Sequence, residues 1–349
     1  MTRHLLQAFS RRYFSGDDRL FSYARELTEA SRRAGRGERE PTPLLSVELP
    51  EPDPALRRVT LDSLTGFFRN PVRWLLRERL GIRPDENEEE LATREPFVLD
   101  GLENHELLGR MLELHRDGRS ATAIQAAMRG SGALPHGQVG DCVFAEAQDR
   151  VMRFAGRLGR VLPRRDLEPL DLALKLDGFE LSGRLTGITP GGRVGYRLAS
   201  IKANDYLNLW LHHLVLNIAA PTGITLQSRW VAEDKEVLLE PAADAAVHLR
   251  ALLEWYWRGT RRLLHFFPKS ALAYVETLRK DQNQDTDKAL RAARSQWEGN
   301  DFQQVAPERE NVYYQLAFRD TDPLDVEFEA AAMAVFMPVF EAMSQQPAR

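Results

Sequence analysis

The residues with the clearest chemical potential lie in the segment from Gly183 to Lys202. Alternating apolar residues predict a strand before Thr186 and a second strand that leads to Ser200 and Lys202, and the proline and glycines at 190–192 predict the turn between them. The segment carries hydroxyl and cationic side chains but no carboxylate. Magnesium needs hard, usually anionic oxygen ligands, and two hydroxyl groups cannot replace two carboxylates. The segment therefore lacks the ligands that a magnesium-dependent hydrolase would need.

This segment resembles the PD-(D/E)xK nucleases of the RecB type, which place a G-x-I-D strand here and a hairpin partner that ends D-x-K. By that resemblance, Thr186 stands where the first Asp should be, Ser200 stands where the second should be, and Lys202 is retained. The same nucleases carry a histidine on the preceding helix in a G-x-x-x-H pattern, where this chain has Phe144. The resemblance implies an α+β, PD-(D/E)xK nuclease-like fold with a degenerate active site, no metal and no catalytic residue.

Length and composition limit the kinds of protein that this chain can be. A length of 349 residues suggests two domains, or one large domain with additions, and a hydrophobic content of 43% suffices for a sizeable core. The net charge of −4 does not suggest a protein that coats DNA generally. Cys142 is the only cysteine, which excludes a disulfide framework and fits a reducing cytoplasm. We expect a cytoplasmic protein, because no apolar run is long enough for a membrane span and no secretory signal opens the sequence.

Two regions differ in character. Residues 1–56 combine charged runs with several prolines and predict an irregular N-terminal arm and linker. The arm also carries aromatic residues beside arginines at 11–14, which need a surface on which to be buried. Residues 57–349 predict the folded nuclease-like domain with its helical additions.

The order of predicted elements favours an α+β domain. Thr60, Asp62 or Ser63 can cap a first helix that runs to about Leu80, and Pro71 should kink or split it. The other predicted helices are 101–114, 121–128, 140–158, 206–220, 242–266 with a break near 259, and a helical C-terminus over 272–300 and 323–344. The predicted strands are 170–176, 179–188, 194–201, 225–232 and 237–239.

Two other groups of residues could form a metal site, and each also has an ordinary structural explanation. Asp177, Glu180 and Asp205 are the nearest carboxylates along the chain, but turns and helix N-termini favour acidic residues for structural reasons. His212 and His213 are adjacent on a predicted helix, so their side chains point about 100° apart and cannot easily share one metal. We therefore expect the histidines to be core or surface residues and keep a displaced carboxylate site as an alternative.

Basic residues around the degenerate segment could contact DNA phosphates. Near the segment, the expected phosphate contacts are Arg184, Arg193, Arg197 and Lys202. A second group, Arg258, Arg261 and Arg262, alternates with aromatic residues over 255–267. That second pattern fits a nucleic-acid or partner surface, and it also fits a helix with a buried aromatic face and a solvated basic face.

Several longer runs resemble the RecC family, the gamma subunit of the bacterial RecBCD enzyme (exodeoxyribonuclease V). The runs are His4–Ser10, Arg12–Phe14, Leu20–Tyr23, Leu61–Leu80, Glu95–Leu102, Leu134–Gly140, Leu209–Leu214 and Tyr274–Asn300. The resemblance implies a non-catalytic domain that helps to split a duplex, guides the separated strands, and contacts RecB and RecD. It implies no nucleotide cofactor, and the sequence carries no phosphate-binding loop.

Two other functions remain open from the residues alone. One is an active metal-dependent nuclease with rearranged ligands, which would require Asp177, Glu180 or Asp205 to converge on Lys202. The other is a docking module for RecB or RecD that never touches DNA, an option that the net charge of −4 favours. If the chain does split strands, the hairpin predicted over 225–239 is our candidate for the splitting element.

Overall fold

The computed structural model of the chain describes residues 10–14, 19–20, 43–84, 99–162, 168–300, 305–319 and 321–343. Most of the predicted arm lies outside these residues, as do the family-like runs at 4–9, 21–23 and 95–98. The described part of the linker runs along the domain. The Leu44 N–H donates to the Ala317 carbonyl at 2.7 Å, and the Leu49 N–H donates to the Arg261 carbonyl at 2.7 Å.

Eleven α-helices lie in the described part of the chain. In chain order they are α1 (Leu61–Arg69), α2 (Pro71–Trp74), α3 (Gly101–Arg116), α4 (Ala121–Gly130), α5 (Gly137–Leu158), α6 (Ala203–Ala219), α7 (Ala245–Gly259), α8 (Pro268–Lys280), α9 (Thr286–Glu298), α10 (Val312–Phe318) and α11 (Val326–Glu341). A π-helical turn, Leu75–Arg79, extends α2.

The first helix begins and ends where local chemistry requires. The Thr60 hydroxyl accepts the Ser63 N–H at 3.1 Å, so Thr60 is the N-cap among the three predicted candidates. The helix ends at Arg69, and Pro71 begins the next one with Asn70 as its cap. The predicted split at Pro71 is therefore confirmed.

In the described part of the chain, seven strands form two mixed sheets. The strands are β1 (Arg58–Thr60), β2 (Leu170–Leu176), β3 (Phe179–Leu185), β4 (Ile188–Thr189), β5 (Gly192–Tyr196), β6 (Ser228–Val231) and β7 (Glu236–Leu239). One sheet has the order β1-β3-β2, with β1 parallel to β3, and the other has the order β4-β5-β6-β7, with β5 parallel to β6. The mixed helical and sheet content confirms the α+β class, and the predicted hairpin β6–β7 is confirmed as an antiparallel pair.

Two predicted strand bounds are wrong. The strand predicted over 179–188 is interrupted, because Gly187 adopts a left-handed φ of 69° and a Cβ there would lie 2.2 Å from the Val194 carbonyl oxygen. The strand predicted over 194–201 ends at Tyr196, so Ser200 and Lys202 lie in an irregular segment. The predicted turn is confirmed, since Pro190 and Gly191 join β4 to β5.

Two hydrophobic cores organise the domain. The larger core surrounds α6, whose Tyr206, Trp210 and Leu214 are almost completely buried. Helix α6 also forms the crossover between the parallel strands β5 and β6. The smaller core lies on the other face of the sheet that contains β5 and β6. There Val194 and Val231 pack with residues of α3, α4 and α5. Within the described residues, no helix is both long and apolar enough to cross a membrane.

Candidate functional site

The segment between β5 and α6 carries Ser200 and Lys202 and is held by the turn that joins β6 to β7. The Glu233 N–H donates to the Ala199 carbonyl at 2.9 Å. The Ile201 N–H donates to Asp234 Oδ1 at 2.9 Å. These bonds satisfy backbone groups that a continuous strand would have paired within a sheet. The position of Lys202 therefore depends on this turn rather than on a strand of its own.

Helix α5 fixes that turn from the other side. Arg150 Nε and Nη2 lie 3.0 and 2.8 Å from the two carboxylate oxygens of Glu233, a bidentate pair. The Glu233 carboxylate raises the pKa of Arg150 through this hydrogen bond. Arg157 donates to the carbonyl oxygens of Glu233 and Ala232, each at 2.8 Å. The two arginines therefore tie the turn to the group of helices α3, α4 and α5, which we call the helical subdomain.

Asp205, the carboxylate nearest to Lys202 along the chain, is engaged by protein groups. Its Oδ2 accepts the backbone N–H of Lys202 at 2.8 Å and lies 3.1 Å from Arg197 Nη1. The Asp205 residue is 7% exposed. It thus caps the first turn of α6 and neutralises Arg197, the structural role expected of an aspartate in this position.

The other two carboxylates of the predicted displaced site pair with cations elsewhere. Asp177 forms an ion pair with Arg250, and Glu180 Oε1 lies 3.4 Å from Lys175 Nζ. Asp177, Glu180 and Asp205 are thus engaged by three different side chains. Among the described residues, no three His, Cys, Asp or Glu side chains are grouped so that they could hold a metal ion.

The four positions of the degenerate nuclease site lie in different surroundings. Phe144 is 5% exposed and packs in the helical core of α3, α4 and α5. Thr186 is exposed directly after the last residue of β3, and Ser200 is exposed in the segment after β5. Lys202 is also exposed, and it alone among these four lines the large cleft described next.

A cleft of about 820 Å³ opens beside Lys202. Its walls come from the end of α1, the start of α6, helix α8 and the segment that precedes α10. Arg69 and Lys269 line it together with Lys202. Sequence reasoning missed Arg69 and Lys269, because the three cations are far apart along the chain and no motif connects them. Asn70, next to Arg69, belongs to the family-like run Leu61–Leu80, but the sequence assigned it no functional role.

Most of the predicted DNA-contacting arginines already have protein partners. Arg184 Nε lies 2.8 Å from Asp171 Oδ1 across strands β2 and β3, and both side chains are largely exposed. The others at the surface pair as follows: Arg258 lies over the Trp255 ring at 4.3 Å, Arg261 lies 3.1 Å from Glu48, and Arg262 lies 2.9 Å from Glu327. The aromatic residues around them are buried or half-buried, and Tyr256 and Phe266 belong to the core.

Arg193 is the exception, because it points into the protein. It is 5% exposed, its Nη2 donates to Asn208 Oδ1 at 3.1 Å, and its Nε and Nη1 have no hydrogen-bond partner within the described residues. Burial lowers the pKa of Arg193 to about 10. Burial, assisted by the charge of Arg193, also lowers the pKa of His212 to about 3 and that of His213 to about 4. Both histidines are buried, so of the two roles expected for them, core or surface, they have the core role.

Comparison with known proteins places this architecture in a family. The family model described as the RecC C-terminal domain matches residues 56–279. The RecBCD enzyme subunit RecC of Escherichia coli is 28% identical over 316 residues, which is 88% of this chain and 27% of that protein. The RecC subunits of Mycobacterium tuberculosis H37Rv and Buchnera aphidicola of Acyrthosiphon pisum are 26% and 21% identical over 86% and 64% of this chain, and over 28% and 21% of their own lengths. The chain therefore spans about a quarter of these relatives, and it belongs to the family of the RecC C-terminal domain.

Proposed function

We propose that this chain acts as the C-terminal region of a RecC-type subunit in a cytoplasmic RecBCD-like helicase–nuclease for repair of double-strand breaks by homologous recombination. In this proposal it guides separated DNA strands and contacts RecB-type and RecD-type subunits, but it does not cut DNA. Support comes from relatives that are named as RecC subunits of the RecBCD enzyme. Because the chain covers 27% of the Escherichia coli protein, the complex and its partners are carried over as proposals.

The core is proposed to be a nuclease-like fold with a degenerate site. The order α5, β2, β3, β5, α6 and β6 supports this, since it places the strand–turn–strand segment between a long helix and an apolar helix. The parallel pairing of β5 with β6 across α6 supports it further. In such a fold, the Lys202 segment would follow the strand that carries the second catalytic carboxylate in active relatives.

The non-catalytic role rests on one observation: carboxylates beside Lys202 are bonded to the protein's own donors. Asp205 accepts from Arg197 and from the Lys202 N–H. Asp234 accepts the Ile201 N–H at 2.9 Å, and Glu233 accepts both donors of Arg150. A divalent cation would have to compete with these donors for the carboxylates. The hydroxyl groups of Thr186 and Ser200 offer no anionic replacement.

DNA guiding would rest on cations at the surface. Arg184, Lys202 and Arg258 are exposed and can reach phosphate oxygens. Arg261 and Arg262 are half-buried in ion pairs and would contribute less. Arg193 is buried and Arg197 is neutralised by Asp205, so these two arginines would contribute little to phosphate binding.

A cleavage assay of the purified chain tests the non-catalytic role. Linear single-stranded and double-stranded DNA is incubated with Mg²⁺ and then with Mn²⁺, beside a Lys202→Ala variant. We expect no metal-dependent cleavage from either protein. Cleavage that Lys202→Ala abolishes would instead establish an active nuclease with rearranged ligands. Binding of a forked duplex by the same preparations, measured by fluorescence anisotropy, tests the DNA-guiding role, and an absence of binding would overturn it.

A pure docking module is the second function that an observation favours. Arg184, Arg261 and Arg262 are all neutralised by carboxylates, and the net charge of the chain is −4. Co-purification with RecB-type and RecD-type subunits separates the two functions when it is combined with the forked-duplex measurement. Subunit binding without DNA binding by the chain would support the docking module. Binding of both would support the guiding role.

A further inference from the structure

Three cations lie in the cleft beside Lys202, and none of them makes a direct ion pair within the described residues. Arg69 ends α1, Lys202 precedes α6, and Lys269 lies in the first turn of α8. All three are exposed. In lacking an ion pair they differ from Arg184 and Arg197, which are paired with carboxylates.

The two carboxylates in the cleft do not neutralise these cations by direct contact. Glu276 Oε2 lies 3.8 Å from Lys280 Nζ on its own helix. Glu308 is 8% exposed and accepts the backbone N–H groups of Lys269 and Ser270 at 3.1 and 2.8 Å and the Ser270 hydroxyl at 2.8 Å. Burial raises the pKa of Glu308, although these hydrogen bonds and the charge of Lys269 oppose that effect. Glu308 therefore serves as the cap of α8, and the cleft keeps a surplus of positive charge.

Neutral polar groups line the cleft together with the cations. The amide side chains in the lining are Asn70, Asn204, Gln296 and Asn311. Asn70 donates to Asn311 Oδ1 at 3.3 Å and both cap helices, so Asn204 and Gln296 are the amides of the lining whose side chains make no hydrogen bond within the described residues. An amide can both donate and accept hydrogen bonds, as base edges do. The start of α6 also lines the cleft through Ala203 and Asn204, and the N-terminus of a helix adds partial positive charge. Together, these groups suit a ligand with repeated negative charges and exposed polar edges.

We propose that this cleft binds the backbone of single-stranded DNA, with Arg69, Lys202 and Lys269 contacting successive phosphates. This inference deepens the proposed strand-guiding function and rests on it. The volume of about 820 Å³ fits within the range of specific ligand sites, which is roughly 300–1,000 Å³. A single strand is favoured over a duplex, because unpaired bases expose their Watson–Crick edges to amide groups and a flexible backbone can follow a recessed cleft.

The first test removes the three cations together. The variant Arg69→Gln, Lys202→Gln, Lys269→Gln is compared with Arg110→Gln, Arg119→Gln, Arg153→Gln, which changes the net charge equally at exposed positions on the helical subdomain. Binding of a fluorescent oligothymidylate of about 20 nucleotides is followed by anisotropy at several salt concentrations. We expect the cleft variant to bind roughly tenfold or more weakly and its salt slope to fall by about 2, since each single-strand phosphate contact contributes about 0.7. The control variant should retain the binding and the slope of the wild type.

A second test locates the strand without removing any cation. Asn204→Cys introduces a thiol at the cleft, and the native Cys142, exposed on α5, serves as an internal reference. We expect saturating oligothymidylate to slow maleimide alkylation at position 204 by about tenfold while Cys142 reacts at its original rate. Equal rates at position 204 with and without bound oligonucleotide would place the strand elsewhere and overturn the inference.

Failure of the inference can be distinguished from failure of the proposed function. If wild-type protein does not bind the oligonucleotide or a forked duplex, the DNA-guiding function itself fails. If wild-type protein binds and the cleft variant binds equally well, only the assignment to this cleft fails. Poly-glutamate is a further probe, which tests whether the cleft binds an acidic polypeptide instead of DNA. Loss of its binding in the cleft variant, with oligonucleotide binding intact, would identify the cleft as a site for an acidic polypeptide and would overturn the inference.

Discussion

Arg197 Nη1 lies 3.1 Å from Asp205 Oδ2, and the same oxygen accepts the Lys202 N–H at 2.8 Å. The two side chains are 24% and 10% exposed. One carboxylate oxygen thus neutralises a cation and caps a helix at the entrance to the cleft. The carboxylate that could most easily have rebuilt a metal site next to Lys202 is used to position the start of α6.

Loss of this carboxylate should destabilise the domain. We expect Asp205→Ala to lower the free energy of unfolding by about 2–4 kcal/mol, because it removes the cap and leaves Arg197 largely buried without a partner. Urea denaturation measures the change. The control is Asp171→Ala, which breaks the exposed cross-strand pair with Arg184 and should change stability far less, because solvent screens that pair. Equal losses in the two variants would contradict this role for Asp205.

The bidentate pair between Arg150 and Glu233 should couple the helical subdomain to the turn that holds Lys202. A double-mutant cycle with Arg150→Ala and Glu233→Ala should give a coupling energy of about 1 kcal/mol, since both side chains are only partly exposed and share two hydrogen bonds. Thermal or urea unfolding of the four proteins measures it. A control cycle that combines Arg153→Ala with Glu233→Ala should give no coupling, because Arg153 is exposed. Coupling of the same size with Arg153 would argue against a direct interaction.

Close packing against β6 should make Gly195 intolerant of a side chain. A Cβ at this position would lie 2.5 Å from Trp230 Cε3 and 2.6 Å from its Cζ3. We therefore expect Gly195→Ala to lower the free energy of unfolding by about 1–3 kcal/mol. Gly66→Ala, in the middle of α1 with open space around it, should instead raise stability by about 0.5–1 kcal/mol. Denaturant midpoints of the two variants should move in opposite directions, and a neutral Gly195→Ala would refute the packing argument.

Stability should fall as the pH falls below about 6.5, because the buried histidines resist protonation. The pKa of His212 is lowered from 6.5 to about 3, so below pH 6.5 the unfolded chain binds a proton that the folded chain does not. The contribution of His212 is therefore fully present above pH 6.5 and decreases toward pH 3, by at most about 1.4 kcal/mol per pH unit. His213, with its pKa lowered to about 4, adds a second contribution of the same sign.

Urea denaturation at pH 7 and at pH 5.5 measures this dependence. His212→Asn should reduce the loss of stability between the two values by about half, because one of the two histidines no longer titrates in the unfolded chain. Val215→Ala, on the same buried helix, should lower stability by a similar amount at both pH values. An unchanged pH dependence in His212→Asn would show that the dependence has another source.

Local chemistry made several elements predictable. The hydroxyl of Thr60 and the ring of Pro71 act on neighbouring residues, so a helix start and a helix break could be predicted from the sequence. The leucine alternation over 170–176 predicted β2 because side chains alternate between the faces of a strand. Strand ends were less predictable. The chain leaves β5 after Tyr196 and is then bonded to Glu233 and Asp234, which follow more than thirty residues later.

By itself, the sequence determined the α+β class, the absence of carboxylates between Gly183 and Lys202, and the resemblance to the RecC family. Tertiary structure alone decided which cations have counter-ions. Arg193 and Arg184 look alike in the sequence, yet one is buried beside neutral histidines and the other is paired at the surface. Folding likewise brought Lys202 to the same cleft as Arg69 and Lys269. The physical reason is that propensity and capping act over a few residues, whereas burial and charge pairing depend on segments that only the completed core brings together.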